Sequence, residues 1–173
     1  MKKNIIFFDV ETNGKVGSAV LSISAIKVSY DFENDSWEKV SEYDRFYFRN
    51  EGESIDFGAI NVNGLTDEVI HQKRSGVQYA LTFKEDIESF YAYCSDTRHF
   101  VAHNIKFDRS FVPFTLHNQF DTMMTNIEIV QAGINPTYGT FKWPKLMECA
   151  KFYNIPIDEE SLHESLYDVL VTF

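Results

Sequence analysis

Apolar residues in the first fifty positions follow patterns that predict β-strands. A short run at 5–10, rich in β-branched and aromatic residues, is typical of a buried central strand. Longer apolar runs cover 19–30 and 37–48, and the polar, turn-forming segment 31–36 separates them. Two such runs joined by a short polar turn predict an antiparallel hairpin.

Helix start signals become frequent after this hairpin. Thr66 is the expected N-cap of a short helix, and Thr82 with Glu85 forms a capping-box pattern for a helix over 83–94. A short apolar run at 100–102 predicts one more buried strand. Beyond it, the sequence predicts helices over 108–120, 122–131 and 143–152, and a last helix that starts at the capping-box pair Ser161 and Glu164.

Early strands followed by helices interleaved with a later strand predict the fold class. This order favours a single α/β domain over 1–173, built on a mixed sheet. Pro113 lies inside the helix expected over 108–120, so that helix either begins near Ser110 or is kinked by the proline.

The acidic composition limits the kinds of partner that the chain can bind. Asp and Glu outnumber Lys and Arg by 26 to 16, which gives a formal net charge of −10. Tight binding to long nucleic acid usually requires a basic face, so this charge argues against it. An enzyme that acts on one strand end is still compatible, because acids that hold a divalent metal become less negative once loaded.

Cysteine usage and hydropathy give an expectation for the compartment. Cys94 and Cys149 lie far apart and lack metal-type spacing, which favours a reducing compartment. The apolar run at 5–8 is too short for a signal peptide, and Asp9 and Glu11 interrupt it. No run approaches the length of a membrane span. We therefore expect a cytoplasmic protein without membrane attachment.

Two carboxylates stand at the end of the first strand. Asp9 and Glu11 are two positions apart, so in a strand both point to one face and Val10 points to the other. Open α/β sheets usually place their sites at the C-terminal ends of strands. Neighbouring carboxylates repel unless a cation or a shared proton compensates, and oxygen ligands favour Mg²⁺ or Mn²⁺. Exposed loop acids are the competing interpretation.

Two further segments place titratable residues after predicted elements. Asp108 follows the strand at 100–102, and on its own it is better explained as a helix-capping acid. His163 and Asp168 are five positions apart, which is about 140° around a helix. His163 is therefore expected in the first turn or the preceding loop, at the edge of a site. A helix N-terminus there favours the neutral imidazole that a general base requires.

Taken in order, the segments at 8–12, 103–108 and 163–168 resemble the three motifs of the DEDDh exonucleases, the DnaQ-like branch of the ribonuclease H-like fold. All five defining residues are present and in order, and the histidine in the third segment separates this branch from the tyrosine branch. The resemblance covers nearly the whole chain, from residue 4 onwards.

The resemblance implies a fold, an activity and an extent. The fold would be a ribonuclease H-like mixed sheet of about five strands, one antiparallel, flanked by helices. The activity would be metal-dependent hydrolysis of terminal phosphodiester bonds from the 3′ end of DNA or RNA, which releases nucleoside monophosphates. The exonuclease domain would span 1–173, with a short or truncated final helix, because family members usually continue further beyond the last motif.

The resemblance also implies catalytic roles for Asp9, Glu11, Asp108, His163 and Asp168. Asp9 would bridge two Mg²⁺ or Mn²⁺ ions, Glu11 and Asp168 would complete the shell of the ion beside the attacking water, and Asp108 would support the other ion. His163 would take a proton from that water.

The same analogy assigns contacts with the nucleic-acid end. Backbone N–H groups near Thr12 and the Glu11 carboxylate would hold the 3′-hydroxyl. Leu65 and Phe107 would wedge against the terminal bases, with core packing as an equally good alternative. The substrate-binding residues expected on this basis are Thr12, Asn13, Asn63, Leu65, His103 and Phe107, with Asn63 standing where the family commonly has His.

Basic residues near the motifs are candidates for phosphate contacts. They are Lys106, Arg109, Lys142 and Lys145, and an ordinary solvated surface explains them equally well. Asn104 is expected to brace the second motif by hydrogen bonds.

Other functions are still open at this stage. A catalytically silent nucleic-acid-binding module, or a polymerase-associated one, would be marked by the loss of a catalytic carboxylate, and none is lost. A metal-dependent phosphatase would cleave a phosphate monoester and spare oligonucleotides. DNA and RNA substrates are not distinguished, because no residue plainly contacts a 2′-hydroxyl. A polymerase or another protein is a candidate partner, and the sequence does not indicate an oligomeric state.

Overall fold

The computed structural model describes all residues from 1 to 173. The strand bounds are β1 Lys2–Thr12, β2 Val20–Asp31, β3 Ser36–Phe46, β4 His99–Ala102 and β5 Asn118–Asp121. They form one sheet in the order β3-β2-β1-β4-β5. The pairs β1–β2 and β2–β3 are antiparallel, and β1–β4 and β4–β5 are parallel, so β2 alone runs against the others. This topology confirms the predicted mixed sheet.

Eight short helices accompany the sheet. Their bounds are α1 Phe57–Asn63, α2 Asp67–Lys73, α3 Phe83–Cys94, α4 Ile105–Asp108, α5 Thr122–Thr125, α6 Ile127–Val130, α7 Leu146–Phe152 and α8 Ser165–Thr172. The predicted caps of α2 and α3 are confirmed: the Thr66 hydroxyl accepts from the Val69 N–H, and the Thr82 N–H donates to the Glu85 carboxylate. None of these helices has the length and apolar character needed to cross a membrane.

Alternate residues of β1 face opposite sides of the sheet. The even-numbered residues Ile6, Phe8 and Val10 are buried in the main core. Residues of α3 contribute to the same core. The odd-numbered residues Ile5 and Phe7 instead pack beside Val169 of α8. Asp9 and Glu11 continue this odd-numbered row, so the sheet directs both carboxylates toward the side that α8 covers.

The prediction of a helix over 108–120 is wrong. A single 3₁₀ turn, Arg109–Phe111, follows α4, and the backbone of Val112 is then extended with φ −98° and ψ 112°. Pro113 explains the break, because the residue before a proline avoids the helical conformation and proline has no N–H to donate. Residues 118–121 form the edge strand β5, whose short and largely exposed sequence carries no apolar alternation.

Helix starts near the C-terminus also differ from the prediction. α7 begins at Leu146, two residues after the Trp-Pro pair that was expected to open it. α8 begins at Ser165 because Glu164 itself occupies the N-cap position, so the predicted capping box is wrong. The Ser161 hydroxyl instead donates to the Asp158 carboxylate at 2.9 Å.

Helix α1 was not predicted. Its N-cap is Asp56, whose carboxylate accepts from the N–H groups of Gly58 and Ala59 at 2.8 and 3.2 Å. Gly64 ends it in the left-handed conformation, with φ 68°. An N-capping acid and a terminal glycine are the signals by which the sequence marks this helix.

Strand β3 forms one edge of the sheet and is mostly exposed. Charged side chains are interspersed with apolar ones along it, and Lys39 pairs with Glu42 at 2.5 Å. Its register with β2 shifts between Lys27 and Val28, as at a β-bulge.

Candidate active site

The odd-numbered row of β1 brings two carboxylates to one end of the sheet. Oδ2 of Asp9 is buried and has no hydrogen-bond partner. Glu11 lies two residues further along β1, directly before the register shift that ends the regular pairing with β2. Leaving a buried carboxylate oxygen without a donor is costly, so this atom points to a positively charged ligand.

Asp108 reaches the same place from the end of α4. It is 2% exposed, and its Oδ1 accepts a hydrogen bond from the Val10 N–H at 3.2 Å. Asn104 makes the turn from β4 into α4 in the left-handed conformation, with φ 72° and ψ 47°, which Asn tolerates better than most residues. The Asn104 N–H donates to Asp121 at 3.1 Å, so the end of β5 fixes this turn.

The third segment adds Asp168 and His163. Asp168 lies in the first turn of α8, and its Oδ1 accepts from the His163 N–H at 3.3 Å. His163 is in the loop before this helix, is exposed, and has a left-handed backbone with φ 71°. The side chains of Glu11, His163 and Asp168 each offer one potential metal-ligand atom, and these three atoms lie within 4.8 Å of one another. The sequence-predicted carboxylates and the histidine therefore come together in space.

Burial raises the pKa of all four carboxyl groups, and repulsion from neighbouring carboxylates raises the pKa values of Asp9, Glu11 and Asp108 further. Loss of hydration is the largest cause for each of them. It holds the pKa of Asp9 well above its usual range, with the negative charge of Asp108 as the next cause. The pKa values of Glu11 and Asp108 rise to about 8, and that of Asp168 rises to about 6. Such a cluster binds protons tightly or exchanges them for cations, and its all-carboxylate oxygens suit a hard divalent ion.

The carboxylates and His163 line one cleft with a volume of about 570 Å³. Aromatic and basic side chains complete its wall, among them Phe107, Trp143 and Lys145. A polar centre with apolar walls is the usual form of a site that binds an extended organic substrate.

A family model described as an exonuclease, RNase_T, matches residues 6–173. The matched range contains every segment that contributes to the cleft. The chain belongs to the RNase_T exonuclease family. The predicted DEDDh-type membership and the predicted class of enzyme are confirmed. No curated protein sequence matches the chain.

Solved nuclease structures share the fold of this exonuclease. Exonuclease X, solved with 5′-overhanging duplex DNA, superposes with a TM-score of 0.64 at 19% identity, over 97% of this chain and 86% of that one. Exonuclease I superposes with a TM-score of 0.69 at 15% identity, over 98% of this chain but only 39% of its own. The cell-death related nuclease CRN-4 gives a TM-score of 0.64 at 15% identity, over 98% of this chain and 60% of that one.

In the exonuclease, Thr12 and Asn13 stabilise the loop that follows β1. Both are buried, and the Thr12 hydroxyl donates to the Gly14 carbonyl at 2.6 Å. Nδ2 of Asn13 donates to the Glu53 carboxylate and the Ser54 carbonyl, both at 2.8 Å. Neither side chain lines the carboxylate cleft, so a substrate contact from these positions would come from the backbone.

Asn63 links α1 to the exonuclease motif on β1. Its Nδ2 donates to the Thr12 carbonyl and its Oδ1 accepts from the Leu65 N–H, both at 3.0 Å. A hydrogen bond from Asn63 also lowers the pKa of Glu11, against the effect of burial. Leu65 is 6% exposed and packs beside Leu21, so core packing is its role in the structure and its wedge role stays a prediction.

His103 is committed to the protein on both ring nitrogens. Nδ1 lies 3.1 Å from the Thr122 hydroxyl and Nε2 lies 3.0 Å from the Pro144 carbonyl. Because a carbonyl only accepts, Nε2 carries the proton and Nδ1 accepts from Thr122. Burial lowers the pKa of His103, consistent with a neutral ring. The predicted substrate contact would require one of these bonds to break.

Phe107 and the basic residues take up different positions. Phe107 is half-buried, contacts Phe111 edge-on at 5.0 Å, and lines the carboxylate cleft and an adjoining groove. Lys142 pairs with Glu148 at 2.6 Å, whereas Lys145 lines the cleft. The remaining two, Lys106 and Arg109, line a separate surface groove.

Sequence reasoning missed two residues of this region. Asp121 holds the second motif through the Asn104 N–H and also caps α5 through the Met124 N–H at 3.1 Å. Trp143 lines the cleft and is 63% exposed. Its position between Lys142 and Lys145 was the sequence signal that could have marked it as a substrate contact.

Proposed function

We propose that this chain is a metal-dependent 3′–5′ exonuclease that hydrolyses terminal phosphodiester bonds of single-stranded DNA or RNA and releases nucleoside monophosphates. The observation that carries the proposal is the partnerless buried Oδ2 of Asp9, at the centre of four carboxylates with raised pKa values. Exonuclease X was solved with 5′-overhanging duplex DNA, and exonuclease I from E. coli was solved with single-stranded DNA. These complexes support a nucleic-acid end as the ligand here.

Two divalent cations, Mg²⁺ or Mn²⁺, would be held by Asp9, Glu11, Asp108 and Asp168. When bound, they supply Lewis acidity toward the attacking water, the phosphate and the leaving oxygen. The chain provides the donors in a buried, fixed arrangement: the Val10 N–H orients Asp108, and the His163 N–H orients Asp168. These hydrogen bonds stabilise the ionised carboxylates that a cation requires.

His163 is proposed as the general base. Its imidazole is exposed at the rim of the cleft, whereas its backbone is tied to Asp168, so the ring has access to a water near the carboxylates. A ring nitrogen takes the proton of that water as the phosphodiester bond is attacked. Glu11 and the backbone of the loop after β1 are proposed to hold the 3′-hydroxyl.

The decisive experiment uses a 5′-labelled single-stranded DNA oligonucleotide and its RNA counterpart, with Mg²⁺, Mn²⁺ or EDTA. We expect a ladder that shortens from the 3′ end, requires metal and ranks DNA against RNA. Asp9→Ala should abolish the ladder, and His163→Ala should reduce its rate about 10²–10⁴-fold. Glu33→Ala, on the exposed hairpin, is the matched control and should cleave normally. Full activity of Asp9→Ala would refute the proposal.

A phosphate monoester substrate such as p-nitrophenyl phosphate tests the phosphatase alternative. Cleavage of the monoester with intact oligonucleotides would replace the proposed reaction by phosphatase chemistry. Metal binding without any cleavage would favour a silent nucleic-acid-binding module that works with a polymerase or another protein. The single sheet supports one domain over 1–173, and a cytoplasmic location is proposed from the sequence.

A further inference from the structure

Trp143 places a large aromatic ring in the acidic cleft. The residue is 63% exposed, and no aromatic pair or hydrogen bond of the structure involves its side chain. Buried tryptophans usually gain a partner for the indole N–H and contacts on both ring faces. Here an apolar surface faces solvent beside a group of carboxylates, which leaves the ring available to a ligand.

The backbone on both sides of this ring is fixed. Before it, the Lys142 N–H donates to the Gly133 carbonyl at 2.9 Å. After it, Pro144 is fully buried, and its carbonyl accepts from Nε2 of His103 at 3.0 Å. The ring is thus exposed on an anchored segment, so binding to it orders little of the chain.

Lys145 adds a positive charge next to this ring. Its backbone N–H donates to the Glu148 carboxylate at 2.8 Å, whereas its ammonium group takes part in no salt bridge. Both Lys145 and Trp143 line the carboxylate cleft. A flat aromatic face beside an unpaired cation matches a base and its phosphate.

We propose that Trp143 stacks on one unpaired base near the 3′ end of the substrate strand, while Lys145 contacts the adjoining phosphate. This inference rests on the proposed exonuclease function and adds a reason for a single-stranded end. A base inside a duplex is stacked on both faces and offers none to the ring. Stacking tolerates any base, so the contact selects strand state and not sequence.

Steady-state kinetics on single-stranded oligonucleotides test the stacking. Trp143→Ala should raise KM about 10-fold, equivalent to about 1.4 kcal/mol, and leave kcat within about twofold. Trp143→Phe should keep most of the affinity, because a flat ring remains. Trp37→Phe is the matched control, since Trp37 lies at the other end of the sheet, edge-on to Phe173 at 4.4 Å. An unchanged KM in Trp143→Ala overturns the inference.

Abasic substrates identify the stacked base. A set of oligonucleotides would carry one abasic site at each of the last four positions. At one position, wild type and Trp143→Ala should have equal KM values, because the base that distinguishes them is gone. A Trp143→Ala defect of the same size at every position would show that the ring acts without stacking on a base.

Fluorescence separates this inference from the exonuclease proposal. The chain has two tryptophans, so Trp37→Phe leaves Trp143 as the single indole reporter. In a Trp37→Phe, His163→Ala background with Mg²⁺, oligothymidylate should quench its emission, whether or not cleavage occurs. If the emission does not change while the Trp37→Phe parent degrades the oligonucleotide, the stacking alone is overturned. If the emission is quenched but the Trp37→Phe parent has no nuclease activity, the exonuclease proposal alone is overturned.

Discussion

Asp9 is the residue at which electrostatics most strongly disfavour an ionised carboxylate. One of its oxygens is buried without a donor, and three other carboxylates lie near enough to raise its pKa. In the metal-free protein this arrangement is destabilising, because ionisation of Asp9 would place an unpaired charge in a dry environment. The sequence pattern identified the positions, but only their convergence in space reveals the size of the effect.

Asp108→Asn should stabilise the metal-free protein while abolishing cleavage. Folding raises the pKa of Asp108 from 3.8 to about 8, so ionisation weakens the folded state progressively as pH rises through this window. The amide still accepts from the Val10 N–H but carries no charge. Thermal unfolding in EDTA should show a melting temperature higher than wild type by about 3 °C at pH 8, with a smaller difference at pH 4.5. A lower melting temperature than wild type at pH 8 would contradict this.

Asn63→Ala should move the acidic limb of the pH–rate profile to higher pH. The hydrogen bond from Asn63 lowers the pKa of Glu11, so its loss raises that pKa, and a larger fraction of Glu11 stays protonated at a given pH. The measurement is kcat/KM against pH at saturating Mg²⁺. Asn63→His, which introduces the residue common in the family, should restore part of the shift. An acidic limb that coincides with wild type in both variants would rule out this role.

At the scale of elements, a buried serine group attaches α8 to the sheet. The Ser165 hydroxyl lies 2.8 Å from that of Ser22 and 2.6 Å from that of Ser24, both on β2. Because Asp168 follows within one helical turn, these bonds set the distance of its carboxylate from β1. Neither the serines nor their pairing could be predicted from sequence, since isolated serines carry no periodic signal.

Ser165→Ala should therefore lower both stability and activity. The substitution leaves the buried Ser22 hydroxyl without this partner, which should cost about 1–2 kcal/mol in the free energy of unfolding. Urea unfolding measures the stability, and the oligonucleotide assay measures the rate. Leu170→Ala, on the exposed side of the same helix, is the control and should change the rate little. A normal rate in Ser165→Ala would show that α8 holds its position without the serines.

Predictability from sequence also differs between elements. Strands β1 and β2 and helix α3 carry strong apolar periodicity or a capping box, and the structure confirms all three. Strand β5 is four residues long, and it forms because β4 offers it a parallel partner. Tertiary pairing of this kind overrides local propensity, and that is why the region after Pro113 was assigned to a helix.

At the scale of the whole molecule, three segments far apart in sequence supply the cleft. Their order and residue types resemble the family motifs, and this resemblance predicted the carboxylates and His163 as one group, which the structure places along one cleft. The residues around them were less predictable: His103 carries out a structural task, and Trp143 lines the cleft without a motif to mark it. Side-chain partners depend on packing between segments, which one sequence does not display.

Metal binding should stabilise the whole fold in a pH-dependent way. Cations bind ionised carboxylates, and the pKa values of Glu11 and Asp108 are about 8, so at pH 6 a cation must displace protons. The rise in melting temperature on adding 10 mM Mg²⁺ should therefore be larger at pH 8.5 than at pH 6, and Ca²⁺ should act in the same direction. A rise of equal size at both pH values would mean that the cations bind elsewhere.

The edge strand β3 has a consequence for the behaviour of the protein at high concentration. Unpaired backbone groups along such an edge can recruit a second molecule into a continuous sheet, and the exposed Trp37 and Val40 would favour this. The bulge at Val40 of β3 twists the edge, and the charged Lys39 and Glu42 disfavour the addition of another strand. Neutralising both charges should therefore convert a dispersed enzyme into one prone to intermolecular β-aggregation.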